Sequence, residues 1–356
     1  MGLDLVDLLL EGLFSLPSES EDFVKKPDIL RNAGGETLSF TSLPDLARAI
    51  MHFAVAKRKA DYRAASSLLH GIVQTLQIER SSLHFTELIF DRLREAFPNF
   101  RHLSPHDLVF QIYSEYTGRP VEEIVASTET AVEKVAQSWR ERYETRESTL
   151  TNEQLADFYA SFDFPIMCTF RKILRGSLSV AQAALPLHVA QQFKATAAFD
   201  FGGNSGLLTT ALALTGVKRV LLIDQSPSLL DFARWRDQRM KVGNIEYVDV
   251  RGFESQNDSF VGVFDFGCCV EVLEHVADVE AVVAILARLL RQNGILFLSA
   301  SFGQYPFPTH LRRNLVYAGK EDELLRRFGF ERLPVAFPIP TRGNERLYRK
   351  VGNGAA

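Results

Sequence analysis

In the first half of the chain, apolar residues recur at three- and four-residue spacing, the pattern of helices that bury one face. This period predicts helices over residues 42–76, 81–97 and 121–144. The stretch 140–154 is polar and lacks an apolar period, so it is a candidate linker or solvated helix end. The first half of the chain is therefore predicted to be all α.

From residue 197 the pattern changes to short apolar runs, at residues 197–201, 219–224, 245–250, 264–270 and 294–300. Helical periods fill the intervals between these runs. Strands that alternate with helices predict βαβ units and a parallel, Rossmann-like sheet. The predicted fold class is α/β, with an all-α part before the sheet.

This change of pattern divides the chain into three predicted parts. Residues 1–150 are expected to be a helical domain that serves as a lid, a substrate domain or a dimerisation module. Residues 151–195 are a helical connector or lid, and residues 196–356 are the sheet domain. A length of 356 residues also favours more than one domain. Sheets of this type bind ligands where their strands end, so candidate chemistry is sought there.

The first strand–helix turn combines an acid with three glycines, Asp200, Gly202, Gly203 and Gly206. Glycines let the backbone approach a ligand and adopt positive φ angles. The order differs from the G-x-G-x-x-G of dinucleotide-binding proteins. A phosphate would also be repelled by the preceding carboxylate. The turn therefore favours a ligand with a positive or amine-bearing end, and a purely structural turn is the alternative.

Two further acids end predicted strands. Asp224 stands at the end of the second strand, where an acid can accept hydrogen bonds from both hydroxyls of a ribose. The alternative is a helix cap, since a helix opens directly after it. Asp249 ends the third strand and could accept from an adenine amine, or be a surface acid.

Four segments in this order resemble the class I S-adenosylmethionine-dependent methyltransferases, over about residues 195–350. They are "FDFGGNSG", "LLID", "VDV" and "VLEHVADV…LLRQNGILFLS". The resemblance implies a Rossmann-like methyltransferase sheet with S-adenosylmethionine as its cofactor. It also implies that the cofactor contacts Asp200, Gly202, Gly203, Asn204, Gly206, Asp224, Gln225, Asp249, Val250 and Glu271. Asn204 replaces the middle glycine of the family's usual D-x-G-x-G-x-G, and we expect Gly203 to substitute for it.

Two histidines follow strands near the predicted site and are the candidates for a general base, His275 and His310. His310 lies after the fifth strand, where the family commonly builds the acceptor pocket, so it is also a candidate substrate contact. Tyr159 and Phe162 precede the first strand, in a segment that commonly covers the acceptor site in this family. They are candidate substrate contacts, and core packing is the alternative for both.

A metal site is the alternative interpretation of the residues in this region. The motif "EVLEH" places Glu271, Glu274 and His275 on one face if the segment is helical. With His310, this set resembles the E-x-x-E-H arrangement of small-RNA 2′-O-methyltransferases and some ubiquinone-pathway O-methyltransferases. The same motif is common in metal-free relatives, and we expect no divalent metal.

Composition narrows the partners and the compartment. A net charge of −4 argues against a general nucleic-acid binder, which usually carries a basic excess. The three cysteines, Cys168, Cys268 and Cys269, form no C-x-x-C pair and are expected to be structural thiols in a reducing cytoplasm. The acidic opening segment, residues 1–14, is neither a signal peptide nor long enough to cross a membrane. A homodimer through the N-terminal helices is expected.

These observations lead to one principal function and three alternatives. The principal one is S-adenosylmethionine-dependent methyl transfer to an oxygen, nitrogen or carbon nucleophile of a small aromatic or natural-product-like acceptor, as in secondary metabolism. The first alternative is a metal-assisted O-methyltransferase acting on RNA or a quinone. The second is a non-catalytic scaffold protein that retains a nucleotide pocket. A nicotinamide dehydrogenase is disfavoured by Asp200 and the glycine order.

Overall fold

The computed structural model describes residues 81, 84–162, 177–251, 258–304, 309–334, 337 and 343–352. All of them belong to one compact unit, Leu76–Ala356. The helix predicted over residues 42–76, the opening segment 1–14 and the thiol of Cys168 lie outside the described residues.

Helices come first along the described chain. They are α1 (residues 84–96), α2 (Pro105–Thr117), α3 (Val121–Tyr143), α4 (Asn152–Ala160) and α5 (Ser177–Gln192). The helices predicted within 81–97 and 121–144 are confirmed. The polar stretch 140–154 contains the end of α3, a short 3₁₀ turn at Glu147–Thr149 and a capping box, in which Thr151 and Gln154 bond each other's backbone N–H.

Seven strands of the described residues form one sheet. They are β1 (Ala197–Phe201), β2 (Arg219–Asp224), β3 (Ile245–Asp249), β4 (Phe264–Val270), β5 (Leu290–Ser299), β6 (Phe330–Leu333) and β7 (Glu345–Lys350). Their order is β3-β2-β1-β4-β5-β7-β6. Strands β1 to β5 run parallel, and β7 is antiparallel to both of its neighbours. The strand order reverses between β1 and β4, which is where sheets of this kind form their ligand crevice.

Within the described residues, four further helices lie between or after the strands, α6 (Leu207–Leu214), α7 (Pro227–Arg239), α8 (Val279–Leu289) and α9 (Glu321–Arg327). The five predicted strands are all present. The fifth begins earlier than predicted, at Leu290, because this residue pairs with Phe264 across a bulge before the apolar run starts.

Successive strand residues point to opposite faces of the sheet, and each face has its own core. Ala198 and Val220 pack on the side of α1, α2, α5 and α6. Phe199 and Leu221 pack on the side of α8 and α9. The Phe199 ring lies against Gly267 of β4, where a Cβ atom would come 2.1 Å from its Cζ. The glycine in "FDFGCCV" therefore makes room for an aromatic ring between neighbouring strands.

Helices α1 and α2 share a hydrophobic core with the sheet. Within the described residues the packing therefore runs across the predicted boundaries at 150 and 195, and those boundaries stay predictions. Dimerisation through the N-terminal helices also stays a prediction. In the part of the chain that the structure describes, no helix combines the length and the apolar character needed to cross a membrane. Cys268 and Cys269 are buried and unbridged, as expected.

Candidate active site

Four acids lie at the carboxyl ends of neighbouring parallel strands. Asp200 is the penultimate residue of β1, and Glu271 directly follows β4. Asp224 and Asp249 are register partners at the ends of β2 and β3. Because parallel strands end at the same edge of the sheet, these carboxyl groups all lie at that edge, beside the reversal of strand order where such sheets form their ligand crevice. The predicted positions of Asp200, Asp224 and Asp249 at strand ends agree with the structure, and their roles as cofactor contacts stay predictions.

The loop after β1 is closely packed against its surroundings. Gly202 has φ +69°, donates its N–H to the Ile223 carbonyl at 2.8 Å, and would place a Cβ atom 2.4 Å from Cγ2 of Val272. At Gly203 a Cβ atom would lie 2.5 Å from Oδ2 of Asp200. Neither position has space for a side chain, and the positive φ angle of Gly202 also disfavours one.

Asn204 adopts the left-handed conformation itself, with φ +56°. Asparagine tolerates this region because its side chain bonds the local backbone, and here Oδ1 accepts the N–H of Ser205 at 2.7 Å. The expectation that Gly203 substitutes for the missing middle glycine is therefore wrong. Gly203 has no positive φ, and its small size serves the contact with Asp200.

The Asp200 carboxylate lies beneath this loop and is buried. Its Oδ2 accepts the hydroxyl of Thr209 at 2.8 Å, and the Cys268 thiol lies 3.5 Å from its Oδ1. These two contacts tie β1 to α6 and β4.

Asp224 joins the two strand-end loops. Its Oδ2 accepts the N–H of Asn204 at 3.0 Å and its Oδ1 the N–H of Ser226 at 2.9 Å. Burial raises the pKa of Asp224 to about 6, against these two stabilising hydrogen bonds. The half-buried Gln225 follows directly. The carboxylate therefore serves the turn, and each oxygen keeps lone-pair capacity for a ligand.

Asp249 is paired in a different way. The Arg251 side chain donates from Nε at 3.0 Å and from Nη2 at 2.5 Å to the two carboxylate oxygens. Burial opposes ionisation of Asp249, but the hydrogen bonds from Arg251 outweigh it and hold the pKa below its ordinary value. Val250, between them, packs against the core on the α8 side.

Glu271 has φ +55°, an uncommon conformation for a residue with a side chain. Its carboxylate accepts hydrogen bonds from the hydroxyls of Ser299 and Ser301, the latter at 2.5 Å, and from the Asn344 amide at 2.8 Å. Its N–H donates to the Ser299 carbonyl at 2.8 Å. The strained backbone is thus held by β5 and by the start of β7, a combination typical of functional sites.

The prediction that Glu271, Glu274 and His275 share a helix face is wrong. Leu273–His275 form a 3₁₀ turn, and the left-handed backbone at Glu271 keeps that residue out of it. The structure instead brings together Glu274, His275 and His310, whose potential ligand atoms all lie within 4.8 Å of one another. Glu271 stands beside this group, held by its hydroxyl and amide donors.

The Glu274 side chain is 1% exposed. Its Oε1 accepts the N–H of Ser301 at 3.1 Å, whereas Oε2 has no hydrogen-bond donor among the described residues. Burial, and then the negative charge of Glu271, raise the pKa of Glu274 to about 8. Glu274 is therefore protonated at neutral pH.

His275 has a defined tautomer. Its Nδ1 lies 3.0 Å from both the carbonyl oxygen and the hydroxyl of Thr309. Because a carbonyl only accepts, Nδ1 carries the proton and Nε2 keeps the lone pair. Burial, and then the charge of His310, lower the pKa of His275 to about 4. The imidazole is therefore neutral at physiological pH.

Aromatic rings continue the site on the side of α4. The His275 ring meets the His310 ring edge-on at 4.7 Å and the Tyr159 ring edge-on at 6.3 Å. Burial also lowers the pKa of His310. Phe162 packs on Phe158, 5.0 Å away, within the aromatic cluster around α4. Of the three predicted substrate contacts, Tyr159 and His310 both lie against the His275 ring, and Phe162 packs within that cluster.

Residues 199–298 match a family described as a methyltransferase domain. The ubiquinone biosynthesis O-methyltransferase of Xanthomonas oryzae pv. oryzae (strain PXO99A) is 38% identical over 100 residues, 28% of this chain and 41% of that protein. This part of the chain is a class I methyltransferase domain.

Two further comparisons also give methyltransferases. The ubiquinone biosynthesis O-methyltransferase of Neisseria meningitidis serogroup A is 33% identical over 100 residues, 28% of this chain and 42% of that protein. The solved 1,6-didemethyltoxoflavin N1-methyltransferase of Burkholderia thailandensis has 19% identity and a TM-score of 0.39, over 56% of this chain and 87% of its own. The chain spans about two fifths of the length of the curated relatives it matches.

Several residues of the methyltransferase domain's crevice were missed from the sequence. Ser299 ends β5 and Ser301 follows it by two residues, so continued strand alternation could have indicated that the two side chains point the same way. Asn344 and Thr309 come from distant loops and carry no local signal.

Proposed function

We propose that the chain transfers the methyl group of S-adenosylmethionine to a hydroxyl oxygen of a small aromatic or natural-product-like acceptor. The observation that carries this proposal is the neutral imidazole of His275, which keeps its Nε2 lone pair beside Tyr159 and His310. A positioned base of this kind contributes most when the acceptor is a hydroxyl, which must lose its proton.

The acidic strand ends support binding of the cofactor, whose sulfonium and amine are positive. We assign the ribose hydroxyls to Asp224 and the adenine amine to Asp249, with Gln225 and Val250 beside the adenosine. Asp200 and the loop of Gly202, Gly203, Asn204 and Gly206 would surround the amino-acid end. Glu271 would lie beside the reacting methyl group.

When bound, S-adenosylmethionine supplies an activated methyl group and leaves as a neutral thioether. The chain's task is to hold the acceptor oxygen in line with that carbon and to take the acceptor proton. Alignment is worth about 7–11 kcal/mol in favourable cases. His275 Nε2 would receive the proton, Thr309 would keep the ring oriented through Nδ1, and Tyr159, Phe162 and His310 would line the acceptor pocket.

The first test is calorimetric titration with S-adenosylmethionine and S-adenosylhomocysteine. Wild type should bind both, and Asp224→Ala should bind at least about tenfold more weakly, the loss of one charge-assisted hydrogen bond. Asp231→Ala is the matched control, because that acid is exposed on α7 and pairs with Arg234. A folded wild type that binds neither ligand refutes the proposal and favours the scaffold alternative.

A metal-assisted O-methyltransferase, acting on a quinone or an RNA, is the second candidate. It is favoured by the clustering of Glu274, His275 and His310 and by the buried Glu274 Oε2, which has no donor among the described residues. Two imidazoles and one carboxylate fit zinc, manganese or iron better than magnesium. A metal held by these residues would acidify the acceptor hydroxyl. The ubiquinone-pathway relatives give this candidate its acceptor class.

Metal titration separates the two candidates. Mn²⁺ and Zn²⁺ are titrated by calorimetry into wild type and His310→Ala, after chelator treatment and without cofactor. The second candidate requires binding by wild type that His310→Ala weakens. Absence of heat together with full activity in chelator would refute it.

A further inference from the structure

A buried ion pair lies directly beneath the loop that follows β1. Arg236 and Asp237 of α7 are 3% and 0% exposed. The guanidinium donates to Oδ1 of Asp237 from Nε at 3.1 Å and from Nη2 at 2.9 Å. Charges at this depth are uncommon because removing them from water is costly, so the pair calls for a reason beyond stability.

The same guanidinium reaches the loop backbone. Its Nη1 donates to the Ser205 carbonyl at 2.7 Å, and its Nη2 lies 3.4 Å from the Gly206 carbonyl and 2.7 Å from the Thr210 hydroxyl. The planar guanidinium carries five N–H donors spread over three nitrogens, so it reaches the carboxylate and both carbonyls in one fixed geometry, whereas an ammonium group has three donors on a single nitrogen. Arg236 therefore connects α7 to the turn between β1 and α6.

Asp237 keeps the guanidinium in place. Its Oδ1 also accepts the Thr210 hydroxyl at 2.9 Å, and its Oδ2 accepts the Tyr247 hydroxyl at 2.9 Å. Burial, and then the charge of Asp237, raise the pKa of Tyr247, which stays a hydroxyl donor. The network thus spans β3, α6 and α7, and its two charges balance.

The direction of the carbonyls sets the direction of the neighbouring N–H groups. In a planar trans peptide the carbonyl and the following N–H point in opposite directions. Arg236 holds the Ser205 carbonyl, whereas the Gly206 carbonyl accepts the N–H and the hydroxyl of Thr210, each at 2.8 Å, with Arg236 further away at 3.4 Å. Both carbonyls lie on the side of Arg236, so the N–H groups of Gly206 and Leu207 face away from it. The Gly206 N–H closes the turn on the Gly203 carbonyl at 3.0 Å, and Leu207 opens α6, where N–H groups have no partner within the helix.

We propose that Arg236 is a positioning residue for the cofactor: its guanidinium fixes the Ser205 carbonyl directly and supports the Gly206 carbonyl through Thr210, so that the glycine loop is preorganised to bind. Preorganisation raises affinity by removing the cost of ordering the loop on binding. The proposal rests on S-adenosylmethionine as the ligand of this loop, as argued above.

A purely structural role makes a different prediction. Buried ion pairs can often be replaced by apolar residues of similar volume without loss of stability. Arg236→Met with Asp237→Leu would then restore the packing but not the hydrogen bonds to the loop carbonyls. If the pair only fills space and balances charge, the double variant should keep both its stability and its affinity.

The experiment compares this double variant with Arg236→Lys and with a surface control, Arg234→Ala with Asp231→Ala, whose exposed pair does not contact the loop. We expect the double variant to fold and to melt below wild type, because the Tyr247 and Thr210 hydroxyls lose Asp237 as an acceptor. It should bind S-adenosylhomocysteine at least about tenfold more weakly. Hydrogen exchange of the Gly206 and Leu207 amides should accelerate by a similar factor, and the control should match wild type.

Each outcome decides the question. A folded double variant with affinity within twofold of wild type and unchanged exchange overturns the proposal. If the double variant does not fold, Arg236→Lys decides: loss of at least about threefold in affinity at unchanged melting temperature supports positioning, and unchanged affinity overturns it. If wild type binds no ligand, the proposed function fails, and the exchange rates still test the positioning.

Discussion

Replacing Asp224 by asparagine separates what this residue does for the fold from what it does for the ligand. The carboxylate is 8% exposed and accepts two backbone N–H groups at the end of β2. Burial raises its pKa from 3.8 to about 6. That difference means that burying the ionised form at neutral pH costs about 3 kcal/mol of the free energy of unfolding.

The sign of the pH dependence follows from the raised pKa. The folded state binds the proton more tightly than the unfolded state. The contribution to stability is therefore fully present below pH 3.8 and is lost as the pH rises through about 6. Asp224→Asn removes this pH-dependent loss of stability. However, the asparagine side chain has only one acceptor oxygen for the two N–H donors, so one donor loses its partner at a cost of about 1–3 kcal/mol. Its free energy of unfolding at pH 7.5 should therefore lie within about 2 kcal/mol of wild type.

Affinity should respond differently. If the carboxylate holds the ribose, the neutral amide loses charge-assisted hydrogen bonds, each worth about 1.5–3 kcal/mol, and affinity falls by about tenfold to a hundredfold. Urea unfolding from pH 4 to 7.5 and calorimetry with S-adenosylhomocysteine measure the two effects. A variant with the same pH slope as wild type would refute the burial argument. Unchanged affinity in a folded variant would refute the ribose assignment.

Three other substitutions test the site's packing and protonation. Gly203→Ala should destabilise the fold by about 1–3 kcal/mol and weaken cofactor binding, because its Cβ would meet Asp200. The control Gly243→Ala has open space around it and should change stability by less than about 0.5 kcal/mol. Thermal melts compare the two variants. Thr209→Val removes a donor to Asp200 and should cost about 1–3 kcal/mol in urea unfolding; a neutral result would mean that this bond is replaceable. In chelator, wild type should lose about 3–5 kcal/mol of stability as the pH rises from 5 through about 8, and Glu274→Gln should not show this loss. Equal slopes of stability against pH in the two proteins would exclude a buried carboxyl that is protonated at neutral pH.

The sheet was predictable because its signals are local. Runs such as "RVLLID" and "FDFGCCV" are apolar, short and bounded by turn residues, and they became β2 and β4 with the predicted ends. The early start of β5 was not predictable, because "LRQN" is polar and its first residue pairs with the sheet only through Phe264. Tertiary pairing there outweighs the local pattern.

The candidate site was predictable only in part, because tertiary contacts also place some of its residues. Asp200, Asp224 and Asp249 follow from strand ends, which the sequence marks. The backbone of Glu271 does not, since "VEVLEH" has the spacing of a helix and the left-handed turn depends on donors from β5 and the start of β7. The tautomer of His275 likewise depends on Thr309, which the chain brings from a separate loop.

The carboxyl groups of this crevice carry less negative charge than their number suggests. Glu274 is protonated at neutral pH, the pKa of Asp224 is raised by burial, and Asp249 is matched by Arg251. Burial suppresses the charge of Glu274, Arg251 neutralises that of Asp249, and Asp224 stays largely ionised at neutral pH at a cost in stability. A cationic ligand or a metal ion would remove the need for that suppression. Such a ligand would bind with release of protons, and it would recover part of the free energy that the ligand-free fold spends on burying these acids. The destabilised carboxylate forms of Asp224 and Glu274 are therefore what a site for positive charge should look like before the ligand binds.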